Sequence, residues 1–328
     1  MMIRAPLRQP RWWRRIRTVI MVVVLMGGLS AAFSEWLGQE VERSHPPTGV
    51  LVAVESHKLH YREQMPPGRP LGTVVLVHGA WTGHADLFST LAPLLSGYRV
   101  IAVDRPGQGW SERPAGSSMA SPAFQAQSLM AMLDLLAPEK VLIVAHSLAG
   151  ALSAHIALER PERLQGLVLV NALTHPFLDD PPFFLSLFAS DLFGPIVNRV
   201  VAIPMARVLL HRGLEIAFSP QPVPTHYVDA SELRLLFREA AFRSNLQDIL
   251  AADVFLKHQA TRYHELSIPV IAITGDRDTL VSPVRNAVRF SREARGADLS
   301  ILPGVGHMPH HASPTAIAKA ATNLFLRP

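Results

Sequence analysis

The stretch Val141-Leu-Ile-Val-Ala-His-Ser-Leu-Ala-Gly-Ala-Leu-Ser153 decides how the chain folds. Val141 to Ala145 is an unbroken apolar run rich in β-branched residues, the pattern of a strand covered on both faces within a parallel sheet. Leu148 to Leu158 holds no proline and a single glycine, and it reads as a helix. Between the two, Ser147 is flanked by Ala145, Ala149 and Gly150. A sharp strand-to-helix turn leaves little room. Small neighbours let the serine take a strained backbone, with its hydroxyl clear of the sheet and a helix N-terminus beneath it. The string is Gly-x-Ser-x-Gly with both glycines replaced by alanine. Taken alone it also fits a structural serine at a helix N-cap.

The same alternation extends to either side. Val50–Val54 and Leu59–Arg62 read as short paired strands joined near Ser56-His57. Thr73–His78, Arg99–Val103, Leu167–Val170, Val270–Thr274 and Asp298–Leu302 read as further strands. Asp86–Leu95, Ser121–Leu136, Pro283–Arg292 and Pro314–Leu326 read as helices. Strands alternating with helices imply right-handed crossovers, hence an α/β fold with a mostly parallel eight-stranded sheet flanked by helices. Between the sixth and seventh strands, Ala172 to Leu266 is rich in Pro, Leu and Phe, with helical periodicity at Ile196–Leu210 and Ser231–Phe242. This predicts a helical lid over 172–266, inserted into a core of 50–171 and 267–328.

The net charge of +5 belongs to the N-terminus. Of 31 basic residues, six (Arg4, Arg8, Arg11, Arg14, Arg15 and Arg17) precede residue 18 with no acidic residue among them. The remainder carries 25 basic against 26 acidic residues, so no nucleic-acid surface is indicated. The arginines lead into an apolar run from Val19 to Leu29 that weakens through Ser30-Ala-Ala-Phe-Ser34. Residues 1–39 therefore read as a signal anchor or as a signal peptide cut near Ser30-Ala31-Ala32. Thr18 to Leu37 would rise roughly 30 Å as a helix, enough to span a bilayer. Either reading exports the rest, as a membrane-anchored domain outside the cytoplasm or as a secreted or periplasmic one. Residues 40–49, with Pro46-Pro47, read as a linker. Hydrophobic residues make up 48% and charged residues 17%, which excludes a disordered chain. The lack of cysteine excludes disulfides, thiol catalysis and Cys-ligated zinc.

In open α/β sheets, reactive groups gather beyond the carboxyl ends of strands. The residues just past the strands here are His78-Gly79-Ala80, His146-Ser147, Gly275-Asp-Arg-Asp278 and Pro303-Gly-Val-Gly-His307. Ser, Asp and His each at a strand end form the set that acyl transfer needs. A serine hydroxyl needs a histidine to remove its proton, and the histidine needs a carboxylate to fix its tautomer. The oxyanion needs backbone N–H donors, which Leu148 after the nucleophile and Ala80 on the His-Gly turn can supply.

These residues carry a resemblance. His78-Gly79, Asp104-Arg-Pro-Gly-Gln-Gly-Trp-Ser111, Ala145-His-Ser-Leu-Ala149, Gly275-Asp-Arg-Asp278 and Gly304-Val-Gly-His307-Met-Pro stand in an order that resembles lid-bearing α/β-hydrolases. That group includes esterases, lipases, C–C bond hydrolases and cofactor-free haloperoxidases, and the likeness runs from about Val50 to the C-terminus. It implies Ser147 as nucleophile, His307 as base and Asp278 as acid, with Asp276 as runner-up. A serine at the elbow argues against the dehalogenase and epoxide-hydrolase branches.

The function expected is a serine hydrolase of small carboxylic esters with an apolar acyl group. The dense apolar group Phe183, Phe184, Leu185, Leu187, Phe188, Leu192 and Phe193 is the expected acyl pocket, packing among the lid helices being the alternative reading. C–C bond cleavage, lactone hydrolysis, perhydrolysis, acyl transfer and a non-catalytic binder on the same fold are the alternatives. No metal is expected, because His307, His310 and His311 match no zinc spacing, and the chemistry proposed requires no organic cofactor. His146, His78 and Asp104 read as structural groups of their turns, and Trp81 and Trp110 as pocket or core residues.

Overall fold

The strands form where β-branched residues run without a polar interruption, and alternate residues then serve opposite faces. A computed structural model describes residues 11–327 except Ala115 and Asp180, so Arg4 and Arg8 of the basic leader lie outside the described residues. In chain order it begins with α1 (Arg11–Ser44), β1 (Val50–Val54), β2 (His57–Gln64), β3 (Thr73–Val77), α2 (His84–Leu91) and β4 (Arg99–Val103). There follow α3 (Pro122–Leu136), β5 (Val141–His146), α4 (Ala149–Glu159) and β6 (Leu164–Val170). A helical stretch comes next, with α5 (Phe183–Ala189), α6 (Gly194–Val197), α7 (Ile203–Phe218), α8 (Tyr227–Ala230) and α9 (Glu239–Gln259). The chain closes with β7 (Val270–Gly275), α10 (Arg289–Glu293), β8 (Ala297–Leu302), α11 (Pro309–Ala312) and α12 (Pro314–Phe325).

The eight strands form one sheet in the order β1-β2-β4-β3-β5-β6-β7-β8. Only β2 runs against its neighbours β1 and β4; the rest are parallel. Val74, Leu76, Leu142, Val144, Val168 and Ile271 face Leu87 and Leu91 of α2 and Ile317 and Leu324 of α12. Val75, Val77, Ile143, Ala145, Leu167 and Leu169 face Leu129 and Leu133 of α3 and Leu152 and Ile156 of α4. Each fully buried Leu or Ile contributes about 1.5–3 kcal/mol, so the two faces carry most of the stability. The registers Val77↔Ala145, His146↔Val170, Val170↔Ile273 and Gly275↔Leu302 bring the carboxyl ends of five strands to one edge.

Three expectations change. The helix expected over Ser231–Phe242 is a 3-10 turn, Leu233–Phe237, followed by extended backbone at Arg238 (φ −74°, ψ 130°) before α9 begins. Arg238 leaves the helix because its guanidinium bonds Gly109 O and stacks 4.9 Å from the Trp110 ring. The linker expected from Glu40 starts only after Ser44, since α1 continues with Val41 buried and Gly38 against the Arg238 backbone. Of the seven apolar residues expected to line a pocket, Phe183, Phe184, Leu192 and Phe193 are exposed. Only Leu185 and Phe188 of that group pack inward beside Trp81.

Helix α1 is long and apolar enough to cross a membrane. It lies against the five-residue π turn Asn198–Ala202 between α6 and α7. Ser30 and Ser34 donate their hydroxyls to Val200 O (2.7 Å) and Arg199 O (2.6 Å). Pro204 has no N–H to offer Val200 O four residues back, and the two serines give the carbonyls of this turn a donor.

Helix α4 packs tightly because Gly150 allows it. A Cβ on Gly150 would stand 2.6 Å from Ala172 Cβ and 2.9 Å from Leu173 O. Gly150→Ala should therefore lower stability by about 1–3 kcal/mol in urea unfolding. Gly213→Ala in α7, where the added methyl meets nothing within 4 Å, should be neutral or stabilising by about 1 kcal/mol. Equal midpoints for Gly150→Ala and parent would overturn this account of the elbow.

Candidate active site

Beyond β5 the chain turns at Ser147, whose φ of 52° lies in the left-handed region that disfavours side chains. The turn holds because Ser147 N donates to Val170 O (3.0 Å) while Ser147 O accepts from Gly150 N (3.0 Å) and Leu173 N (2.8 Å). Gly79, after β3, approaches so closely that a Cβ there would meet Ser147 Cβ at 2.8 Å.

His307 follows β8 through a turn at Gly304 (φ 71°). Its Nε2 stands 3.1 Å from Ser147 Oγ and its Nδ1 2.8 Å from Asp278 Oδ2. The carboxylate fixes the proton on Nδ1, leaving the Nε2 lone pair toward the serine hydroxyl. Asp278 is buried, and its other oxygen accepts from Leu280 N (2.8 Å) and Val281 N (2.9 Å). Asp276 is exposed and accepts from Gly304 N (2.7 Å), so it braces the loop before His307 and does not touch the ring. The structure thus brings Ser147, His307 and Asp278 into one relay and leaves Asp276 outside it.

The two expected oxyanion donors flank the serine. Among the described residues no acceptor engages Ala80 N–H or Leu148 N–H. Arg105, fully buried, sets the turn that carries Ala80. It donates to His78 O (3.0 Å) and Gly79 O (3.1 Å), and its other end meets Asp248 Oδ2 of α9 (2.6 Å). Arg113 holds the second oxygen of Asp248. Asn245, also on α9, accepts from Trp81 N (2.7 Å) and donates to Gln108 Oε1 (2.6 Å). Removing one partner of such a buried ion pair costs about 3–5 kcal/mol.

Sequence reasoning missed these residues, together with Asn171 and Gln221. Asn171 (φ 41°) directly succeeds β6. It accepts from Gly275 N (2.8 Å) and donates to Gly306 O (2.8 Å), tying the Asp278 and His307 loops together. Its position at a strand end is the signal that could have found it, the same one that marks Ser147. Gln221 accepts from Gly306 N (3.0 Å) and donates to Gly304 O (2.8 Å), and no local signal marks it.

Two carboxylate–histidine clusters lie alongside. Asp104 accepts from His60 Nδ1 (2.8 Å), His84 Nδ1 (3.1 Å), His84 N (2.8 Å) and Trp110 N (3.0 Å), so it ties its own turn to β2 and α2. Gly49 N donates to His60 Nε2, which fills that lone pair. Asp86 accepts from His310 Nε2 (3.0 Å), His311 Nε2 (2.8 Å) and Tyr227 OH (3.1 Å). His146 donates from Nε2 to His307 O (2.9 Å) and so supports the relay from behind.

Burial and the neighbouring Arg105 push His78 down to about 3. The ring is neutral, with Nδ1–H on Gly79 O and Nε2 accepting from Arg105 N. Burial also lowers His146 and His310, the latter against the pull of Asp86. Burial alone would raise Asp86 and Asp104, but their histidines outweigh it and hold both well below the usual range. Burial opposes a proton on His84, and Asp104 outweighs it to raise that group.

The unfolded chain binds protons at His78, His146 and His310 below pH 6.5, where the folded chain does not. Their contribution is therefore fully present above 6.5 and is lost as pH falls toward the folded values, at up to about 1.4 kcal/mol per unit for each. His84 works in the opposite direction, and the aspartates add their loss only below about 4. The thermal midpoint should thus fall between pH 7 and pH 5, before carboxylates titrate. A flat midpoint across that range would contradict the neutral-histidine assignment.

Residues 72–314 match a family model described as alpha/beta hydrolase fold. The 2-hydroxy-6-oxononadienedioate/2-hydroxy-6-oxononatrienedioate hydrolase 2 of Pseudomonas putida is 26% identical, covering 78% of this chain and 88% of its own. The pimeloyl-[acyl-carrier protein] methyl ester esterase of Vibrio parahaemolyticus is 27% identical over 72% of this chain and 87% of its own. Among solved structures, the enol-lactonase from Burkholderia xenovorans superposes with a TM-score of 0.69 at 20% identity, covering 85% of this chain and all of that one. That last similarity concerns the fold, while the two sequence relatives are named as a hydrolase and an esterase. With the family model covering most of its length, the chain belongs to the alpha/beta hydrolase family.

Proposed function

We propose that the chain is a membrane-anchored serine hydrolase of carboxylic esters with apolar acyl groups. The observation that carries the reading is His307 bridging Ser147 Oγ at 3.1 Å and Asp278 Oδ2 at 2.8 Å. In this reading Ser147 Oγ attacks the ester carbonyl while its proton moves to His307 Nε2. The carbonyl oxygen takes the negative charge between the Ala80 and Leu148 N–H groups. The tetrahedral intermediate collapses, the alkoxide leaves with the proton from His307, and an acyl group remains on Ser147. Water then repeats the sequence, with His307 taking its proton, and releases the acid. Asp278 holds the imidazole tautomer and stabilises its charge throughout.

The apolar acyl preference is supported by what surrounds the serine. Leu148, Leu173 and Val281 form a buried cluster with Ala80, Phe177 and Ile249 packed on it. We assign 50–171 and 267–328 to the catalytic core and 172–266 to a lid that selects substrate. The anchor reading of residues 1–39 is supported by Ser30, which bonds the π turn from mid-helix, so that cleavage near Ala31 would sever a packed element. Arg11, Arg14, Arg15 and Arg17 before the apolar stretch favour a cytoplasmic N-terminus and a catalytic domain on the far side. A second reading, cleavage of a C–C bond by the same relay, is supported by the similarity to the dienedioate hydrolases.

The test is multiple-turnover hydrolysis of p-nitrophenyl esters of graded acyl length by the full chain. Ser147→Ala and His307→Ala should each lower kcat by about 10³-fold or more. Asp278→Asn should approach them, and Asp276→Asn should keep most activity. Asn245→Ala should lower kcat more than it raises KM, because it frees the turn carrying Ala80. Activity that falls steadily from the two-carbon acyl group upward would sink the apolar preference. Turnover of vinylogous diketones without ester turnover would favour the C–C reading.

A further inference from the structure

The N-terminal half of α7 is largely apolar on two sides, while its C-terminal half exposes His211, Arg212 and Glu215. Ile203, Leu214 and Phe218 are buried against the protein. Met205, Val208, Leu209 and Ile216 point the other way, with Val208 82% exposed. Leu192, Phe193 and Ile196, the last 67% exposed, continue the surface before the π turn. Apolar side chains on the side of a helix turned away from its own protein suit an apolar medium.

The contact with α1 fixes where that medium lies. Gly27, Ala31, Ser34, Gly38 and Val41 recur at four- and three-residue spacing along the face of α1 that meets the lid. Small residues at such spacing let helices approach closely within membranes. Val200 Cγ1 would stand 3.8 Å from a Cβ on Gly27. The outer end of the apolar stretch is marked by Phe33 and Trp36, which are in ring contact at 6.0 Å, and the inner end by the stacked pair Trp12 and Trp13. Trp13 and Trp36 are separated by about 34 Å of helix, which matches a bilayer with its aromatic belts. Ending the span before Ser30, so as to keep the lid in water, leaves Thr18 to Leu29. That segment rises only about 18 Å, against a hydrocarbon core of about 30 Å. A crossing α1 must therefore include Ser30 and Ser34, and it takes Arg199 and Val200 with it. Glu35 pairs with Arg199 Nε at 3.0 Å, and Arg207 stands at the surface of α7 beside Val208. Long arginine stems of this kind can reach headgroups from an apolar surface.

We propose that α6, the π turn and the N-terminal half of α7 are embedded beside α1 in the outer leaflet of a phospholipid bilayer. The lid is then an interfacial element whose inner face, through Ile203 and Phe242, packs toward Trp81 next to the turn that carries Ala80. The inference rests on the anchor reading of α1, and the experiment separates the two.

The chain has no cysteine, so single cysteines can be labelled selectively. Leu25→Cys in α1, Ile196→Cys and Val208→Cys in the lid, and the exposed Leu135→Cys in α3 are each spin-labelled in the full chain within phosphatidylcholine vesicles. Accessibility to oxygen, which concentrates in lipid, is compared with accessibility to a water-soluble nickel chelate. The expected result is an oxygen-to-nickel ratio several-fold higher at Leu25, Ile196 and Val208 than at Leu135. Leu25 in lipid with Ile196 and Val208 in water overturns the embedded lid and leaves the anchor standing. Leu25 in water overturns both. Ile196 and Val208 shielded from both agents, with spin–spin broadening between molecules, overturns the proposal in favour of a second copy covering the face.

Discussion

A non-glycine residue at positive φ is strained by about 1–3 kcal/mol unless its surroundings hold it there. Ser147 is held by three backbone hydrogen bonds, to Val170, Gly150 and Leu173, and by neighbours too small to push it out. That constraint organises the site. It needs β5 in the middle of the sheet, so that β6 supplies an acceptor. It needs Gly79 on the opposite side, because any side chain there would collide with Ser147 Cβ. It needs Gly150, because α4 must start against Ala172 and Leu173. Once these are met, the level strand ends place the loops of Asp278 and His307 within reach of the hydroxyl.

The helical stretch between β6 and β7 is fastened to the site on two sides. Asp248 and Asn245 of α9 hold the turn of His78 to Trp81 through Arg105 and Trp81 N. Gln221, after α7, grips the loop of His307. A Cβ on Gly306 would fall 1.9 Å from Ser219 O, so the two backbones touch there. Movement of these helices is mechanically tied to the groups around Ser147 through these hydrogen bonds.

Much of this was legible in the chain. Apolar runs mark the buried strands, because a strand covered on both faces tolerates no polar residue, and the serine turn announces itself by small flanking residues. His307 and the pair Asp276 and Asp278 were legible because they stand just past strand ends, the choice of Asp278 within the pair came from the resemblance, and Asn171 shares the strand-end position. Asp248, Asn245 and Gln221 were not legible, since each acts across more than 80 positions of sequence and sits in a helical stretch without local motif. The break at Arg238 was hidden for a related reason: local periodicity favours a helix through Phe242, while the partners of Arg238, Trp110, Gly109 O and Glu42, are all distant in sequence. The seven apolar residues between Phe183 and Phe193 divide between two faces, and periodicity alone does not say which of two apolar faces turns toward the protein.

The serines of α1 change what kind of part that helix is. Ser30 and Ser34 supply donors to the carbonyls of Val200 and Arg199, the first of which faces Pro204, a residue without an N–H, one turn on. A leucine-rich helix of equal length in the same place would leave those two hydrogen bonds unmade. The helix and residues 198–202 are therefore one packed unit, and a transplant of this domain onto another chain would have to carry both.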